Sequence, residues 1–273
     1  MGTGRHRGQL RAPAGQPGVW RGAVRLVMAR GPGSARAEVV VTGFRIGLRG
    51  SPIAVERAVR RFAGGPAELA ESLPDDRRAS VAMAGMHATL DYLEQRGSID
   101  LERGEVTVTD SLVVTDALVR AAVAWQASAA DALLLHAVAL PRAGAAVVCF
   151  GASGVGKSTL AAAAGDALCD ELVLLRRGAG GWQVESTPWW RGVPGRLPLA
   201  RLLWLVRGEA PSCQAVAGSA LLRALCREAG RYFPDVAFQQ RLFGLCAELA
   251  SLGALRVAAG EGTVVADVEA ALR

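Results

Sequence analysis

The sequence predicts an α/β protein whose second half is built around a phosphate-binding loop and whose first half is a smaller α/β lobe. Three observations carry this reading. Residues Gly151-Ala-Ser-Gly-Val-Gly-Lys-Ser158 match the pattern G-x-x-x-x-G-K-[ST] in full. An apolar run over 145–150 leads into the glycines, and a small-residue stretch over 158–164 leaves them and stops at Gly165. Strand, glycine loop and helix N-terminus in that order form an anion site, because backbone N–H groups converge on the ligand and the helix dipole stands behind it. Lys157, moreover, is the only lysine in a chain with thirty arginines. An ammonium is a compact charge on a thin stem and a guanidinium is a broad fork, so a tight phosphate pocket distinguishes them.

Order is expected to begin near Ala37, after a tail over residues 1–36. Residues 39–48 alternate at Phe44, Ile46 and Leu48 and predict a half-buried strand. Ser51-Pro52 then supplies an N-cap and a first-turn proline. Val55, Val59 and Phe62 make the apolar stripe of a helix that Gly64-Gly65 would end. A polar stretch around residues 74–78 follows. The pairs Ile99/Leu101 and Val106/Val108 flank Arg103-Gly104 and predict a hairpin, and Leu118, Ala122, Trp125 and Ala129 form the next helical face. These elements make up a lobe over residues 37–130, which is within the usual size of a domain.

A nucleotide-binding domain is expected over residues 131–273. Residues 133–140 and 145–150 flank Pro141-Arg-Ala-Gly144, so the strand carrying His136 should pair with the strand that feeds the loop. Residues 167–175 and 182–184 read as a second hairpin around Gly178-Ala-Gly-Gly181. Two helices are expected to close the chain, one with Leu221, Leu222, Leu225 and Cys226 inward, the other over about 236–252. No internal repeat is visible.

Composition excludes several classes. The longest apolar candidate for a membrane span, residues 121–140, is broken by Gln126, Asp131 and His136. The N-terminal arginines lead into no apolar secretory segment. Five cysteines, at 149, 169, 213, 226 and 246, show no C-x-x-C spacing and read as reduced, mostly buried thiols. A cytoplasmic protein with no membrane partner fits these features. The formal charge is +6, yet residues 1–37 hold seven arginines and no carboxylate, which leaves the remainder at −1. The basicity therefore belongs to a Gly/Pro/Arg tail, read as solvated or as sequence upstream of a start at Met28, and no nucleic-acid partner is expected. Homo-oligomerisation is left open.

Absences narrow the choice among phosphate-loop proteins. Without asparagine and with one lysine, the chain has no N-K-x-D guanine-reading motif and no protein-kinase catalytic loop. There is also no L-S-G-G-Q stretch. The next acidic pair, Asp170-Glu171, comes only thirteen residues after Lys157, which is unusually compact. These features resemble the HPr kinase/phosphorylase group, and more closely its short kinase-like relatives near bacterial biosynthetic clusters. The resemblance covers roughly residue 133 to the C-terminus. It rests on His136-Ala before the loop, the Gly151–Ser158 motif, Gly165-Asp-Ala-Leu-Cys-Asp170-Glu171, and Ser186-Thr-Pro-Trp-Trp followed by Leu197-Pro-Leu-Ala. It implies a phosphoenolpyruvate-carboxykinase-like P-loop domain, a mixed sheet with helices, and ATP-dependent protein-serine kinase activity. One departure stands out: where the family has a Glu two residues before an Arg-Gly, this chain has Trp189 before Arg191-Gly192. That puts HPr as substrate, and phosphorylase activity, in question.

Phosphoryl transfer needs charge neutralisation, alignment and help with the acceptor's proton. The ATP-binding candidates are Gly151, Ser153, Gly154, Val155, Gly156, Lys157, Ser158 and Thr159, with Lys157 on the β- and γ-phosphates, Thr159 near the α-phosphate, and Mg²⁺ on Ser158. Asp170 is the candidate base orienting the acceptor hydroxyl, and Glu171 the metal ligand or supporting carboxylate. His136 enters as a catalytic candidate through the family match. Arg191 would meet phosphate or an acidic substrate, or be a surface residue. Trp189 and Trp190 either shape a pocket or pack in the core. The expected reaction moves the γ-phosphate to a Ser/Thr hydroxyl of a peptide or small protein, or to a small molecule. The alternative is an ATP-binding regulatory or assembly protein that transfers nothing and hydrolyses ATP slowly if at all.

Overall fold

A computed structural model describes residues 29–31, 33–62, 79–92, 95–189, 192–230, 232–260 and 262–272. Among the described residues the protein is a mixed α/β chain with two seven-stranded sheets. It divides into two compact units between Val123 and Ala124. Of the tail expected over residues 1–36, strands occupy Ala29–Gly31 and the stretch from Ser34 onward, so order begins earlier than Ala37. Residues 1–28, the stop at Gly64-Gly65, the polar stretch at 74–78, and Trp190 and Arg191 lie outside the described residues.

The first unit carries strands β1 (Ala29–Gly31), β2 (Ser34–Val41), β3 (Phe44–Gly50), β4 (Ala79–Ala84), β5 (His87–Tyr92), β6 (Gln95–Asp100) and β7 (Glu105–Thr107). They are ordered β1-β2-β3-β7-β6-β5-β4, with β3 and β7 parallel. The single strand expected over 39–48 is a hairpin instead. It turns at Thr42-Gly43, whose φ angles of 49° and 83° give the primed geometry that suits a two-residue connection. Val39 and Val41 are buried before the turn, and Phe44, Ile46 and Leu48 after it. The inward positions therefore shift phase by one residue across the turn. The β4–β5 hairpin was not anticipated either.

Helix α1 (Pro52–Phe62) begins as its sequence indicates, with the Ser51 hydroxyl accepting the Ala54 N–H at 3.1 Å. It buries Ala54, Val55, Ala58, Val59 and Phe62. In α2 (Leu112–Ala129), which contains the division between the units, the buried Asp116 carboxylate takes Arg120 at 2.6 Å and Arg61 at 3.2 Å.

The second unit begins with β8 (Ala132–Arg142) and β9 (Ala145–Phe150), paired antiparallel as expected, with Ala137 opposite Phe150. Helix α3 (Lys157–Ala164) follows, then the hairpin β10 (Cys169–Gly178) and β11 (Gly181–Glu185). Next come β12 (Arg196–Arg207), β13 (Ser212–Val216), α4 (Gly218–Glu228) and α5 (Val236–Ser251). The chain does not close on two helices, because β14 (Ala254–Ala259) and α6 (Val264–Leu272) come after them. Strand β14 enters the sheet between β12 and β13, giving the order β11-β10-β8-β9-β12-β14-β13. The start of β12 also pairs with β11, so strands β8 to β12 close on themselves while the rest of β12 runs parallel to β9.

One face of this sheet buries Val138, Leu140, Val147, Cys149, Leu203, Leu205 and Val257 against Leu160 and Ala161 of α3 and Val264 and Val268 of α6. Elsewhere in the unit Trp125, Phe233 and Phe238 form a ring cluster with centroids 5.3–5.7 Å apart. Asp235 caps α5 by accepting the Phe238 N–H at 2.7 Å. All five cysteines are free thiols. No described helix is long and apolar enough to cross a membrane.

Candidate functional site

Strand β9 ends at Phe150, and the chain then turns through Gly151, Gly154 and Gly156 at φ values of 151°, 77° and 103°. These are conformations that side chains with a Cβ rarely adopt. Two of the glycines are also fixed by crowding. A Cβ on Gly151 would stand 2.3 Å from the Leu205 carbonyl oxygen, and one on Gly156 would stand 2.8 Å from Val264 Cγ1. Strand β12 and helix α6 thus press on the loop from outside. Val155 points into the core, while Ser153, Ser158 and Thr159 are exposed. At its far end α3 stops where Gly165, left-handed at φ 74°, donates its N–H to the Ala161 carbonyl.

Lys157 is 6% exposed and donates from Nζ to the Gly151 and Ala152 carbonyls at 2.6 and 3.1 Å. Its ammonium therefore sits inside the curl of its own loop. Burial holds its pKa below the ordinary lysine range, and the carboxylates of Glu228 and Asp170 oppose that shift.

The Ser158 hydroxyl donates to Asp170 Oδ1 at 2.9 Å. Strand β10 delivers Asp170 to this point: it pairs with β8 so that Asp170 faces Val138, on the side of the sheet that α3 covers. Asp170 is 3% exposed. Glu171 pairs with Ala137, is partly exposed, and has a φ of 152°. His136 lies opposite Leu172 and is therefore the diagonal neighbour of Asp170 on the α3 face.

Two residues not singled out in the sequence join this group. Glu228, the last residue of α4, places Oε2 3.3 Å from His136 Nδ1. Arg207, at the end of β12, donates to the Gly154 carbonyl at 3.0 Å. No local pattern marks either one. Each reaches the loop only through a long-range pairing, of Ala229 with Leu135 and of β12 with β9. Trp189, by contrast, is fully buried, so it packs in the core.

The donor set suits Mg²⁺ and a nucleotide. A hydroxyl and a carboxylate in contact provide the hard oxygens magnesium prefers, and magnesium commonly uses only one or two carboxylates together with phosphate and water. Among the described residues no group of three or more His, Cys, Asp or Glu side chains is placed to hold a metal. The site is therefore unlike a cage made wholly of protein ligands.

No protein-family model and no curated protein matches the chain. Among solved structures, the Hpr(Ser) kinase/phosphatase from Coxiella burnetii is similar over 51% of this chain and 93% of that one, at 13% identity and a TM-score of 0.32. A likeness of that size carries no weight by itself.

Proposed function

We propose that the chain is an ATP-dependent kinase that moves the γ-phosphate of ATP onto a hydroxyl of a peptide, a small protein or a small molecule. The observation that carries this reading is the Ser158–Asp170 hydrogen bond at the N-terminus of α3, directly behind a glycine loop that encloses the only lysine. Phosphoryl transfer asks a protein mainly for positioning and charge neutralisation, and this loop supplies both.

The N–H groups from Gly154 to Ser158 and the Lys157 ammonium would hold the β- and γ-phosphates, with Lys157 exchanging its two loop carbonyls for phosphate oxygens. Thr159, one residue further along α3, would approach the α-phosphate. Bound magnesium would offset the phosphate charge. Ser158 would ligate it, with Asp170 holding the serine hydroxyl and adding negative charge beside it. Glu171, the next residue on β10, would serve as a metal ligand or supporting carboxylate. The Asp170 carboxylate also orients the acceptor hydroxyl towards the γ-phosphate.

A second reading is a nucleotide-binding protein that transfers nothing. Trp189 favours it, since this fully buried indole stands where the resembled family has an acidic side chain. Following labelled γ-phosphate from ATP to a hydroxyl acceptor separates the two readings, because only the kinase delivers it anywhere but water.

A further inference from the structure

Strand β8 is flanked by β10 along most of its length but by β9 only from Ala137 onward, because β9 ends opposite that residue and becomes the phosphate loop. The side of β8 that β9 leaves is taken by the residues just after α4. Ala229 bridges to Leu135, and the Gly230 N–H donates to the Leu134 carbonyl at 3.0 Å. The last residue of α4 is thereby pinned where the loop departs. Its carboxylate stands 3.3 Å from His136 Nδ1, with the Glu228 side chain 15% exposed and the imidazole 36% exposed. A carboxylate beside one ring nitrogen of a histidine leaves the other nitrogen for a second partner.

We infer that Glu228 is a positioning residue for proton transfer: its carboxylate keeps the proton of His136 on Nδ1, so that Nε2 accepts the proton of the phosphate acceptor. The inference rests on the kinase reading above and adds a named proton route to it. A neutral imidazole has one donor and one acceptor nitrogen, and the partner of one nitrogen fixes the role of the other. In the transfer step the acceptor oxygen bonds to the γ-phosphorus as the bond from that phosphorus to the β,γ-bridging oxygen breaks. ADP leaves with the bonding pair, and the hydroxyl proton passes to Nε2. The resulting imidazolium is stabilised by the Glu228 carboxylate and returns its proton to water. Asp170, on the same face and diagonal to His136, orients the hydroxyl while His136 takes the proton.

The test has one readout that needs no turnover. The full chain contains three histidines, so ¹⁵N-labelled protein compared with His136→Asn identifies the His136 ring in a long-range ¹H–¹⁵N spectrum. The expected ring carries its proton on Nδ1 in the wild type, and it moves to the Nε2–H form in Glu228→Ala. The second readout is single-turnover release of labelled phosphate from Mg-ATP, with water as acceptor. Glu228→Gln should slow release by about 10–10²-fold, the usual cost of losing an orienting partner, while the Kd for Mg-ATP changes less than about twofold. Glu228→Asp should restore most of the rate. Combining Glu228→Gln with His136→Asn should cost no more than His136→Asn alone, because both act through one group. A wild-type ring protonated on Nε2 or doubly protonated, or a spectrum unchanged in Glu228→Ala, overturns the inference. So does wild-type release from Glu228→Gln. A wild-type chain that releases no phosphate overturns the kinase reading, and the proton route with it.

Discussion

Ser158 and Asp170 meet through a 2.9 Å hydrogen bond, although one opens a helix and the other lies near the start of a strand twelve residues later. Helix α3 is only eight residues long, so the chain leaves the loop, crosses the sheet face once and returns on β10 beside its own starting point. The close spacing of motif and acidic pair is thus the shortest return that brings a carboxylate to the serine. In the kinase reading proposed above, that contact would join the half of the site that holds phosphate to the half that handles the acceptor.

Lys157→Ala should abolish measurable Mg-ATP binding without unfolding the chain. Charge-assisted hydrogen bonds are worth about 1.5–3 kcal/mol each, so losing those to two phosphates raises Kd by roughly 10²-fold or more. Lys157→Arg should not rescue it, because a guanidinium is too broad for the curl that now closes on the ammonium at Gly151 and Ala152. Titration calorimetry checks both variants. Wild-type affinity in either one counts against the assigned role of the loop.

Gly151→Ala should destabilise the protein more than Gly165→Ala. Both glycines have positive φ, which costs a residue with a Cβ about 1–3 kcal/mol. Gly165 has open space around the added carbon, whereas at Gly151 the carbon meets the Leu205 carbonyl. In a chain of this size each kcal/mol is worth about 2–4 °C in Tm. Equal melting temperatures for the two variants would contradict the close approach of β12 to the loop.

Thiol labelling at pH 8 should separate the cysteines. Burial pushes the Cys149 and Cys169 thiols up to about 12, which leaves a thiolate fraction of about 10⁻⁴ at that pH. Cys213 is exposed. Peptide mass mapping after brief alkylation should find Cys213 modified and both buried thiols intact until denaturant is added. Fast labelling of Cys169 would show that the strand carrying Asp170 opens readily.

What could be read in the sequence was what is local. The loop, the β8–β9 pairing, the β10–β11 hairpin and the Ser51 cap are each set by residues within a few positions of one another. The turn at Thr42-Gly43 went unread because the strands on either side are apolar at alternate positions, and only the one-residue phase shift betrays it. Strand β14 went unread because Ala254-Leu-Arg-Val-Ala-Ala259 has no turn signature on its C-terminal side stronger than a glycine, and its place in the sheet depends on parallel pairing with β12. Glu228 closes α4 and carries no local mark of a role. Only the bridge from Ala229 to Leu135 gives it a neighbour in His136.

The most direct measurement is Mg-dependent turnover of γ-labelled ATP by the wild type and by Asp170→Asn, with Mg-ATP affinity measured on the same samples. The account predicts that the wild type forms ADP only with magnesium. Asp170→Asn should bind Mg-ATP with little change yet turn it over about 10²–10⁴-fold more slowly, because it keeps the shape of the side chain and loses its charge. A wild-type chain that binds Mg-ATP and leaves it intact, or an Asp170→Asn chain that matches wild-type turnover, would contradict it.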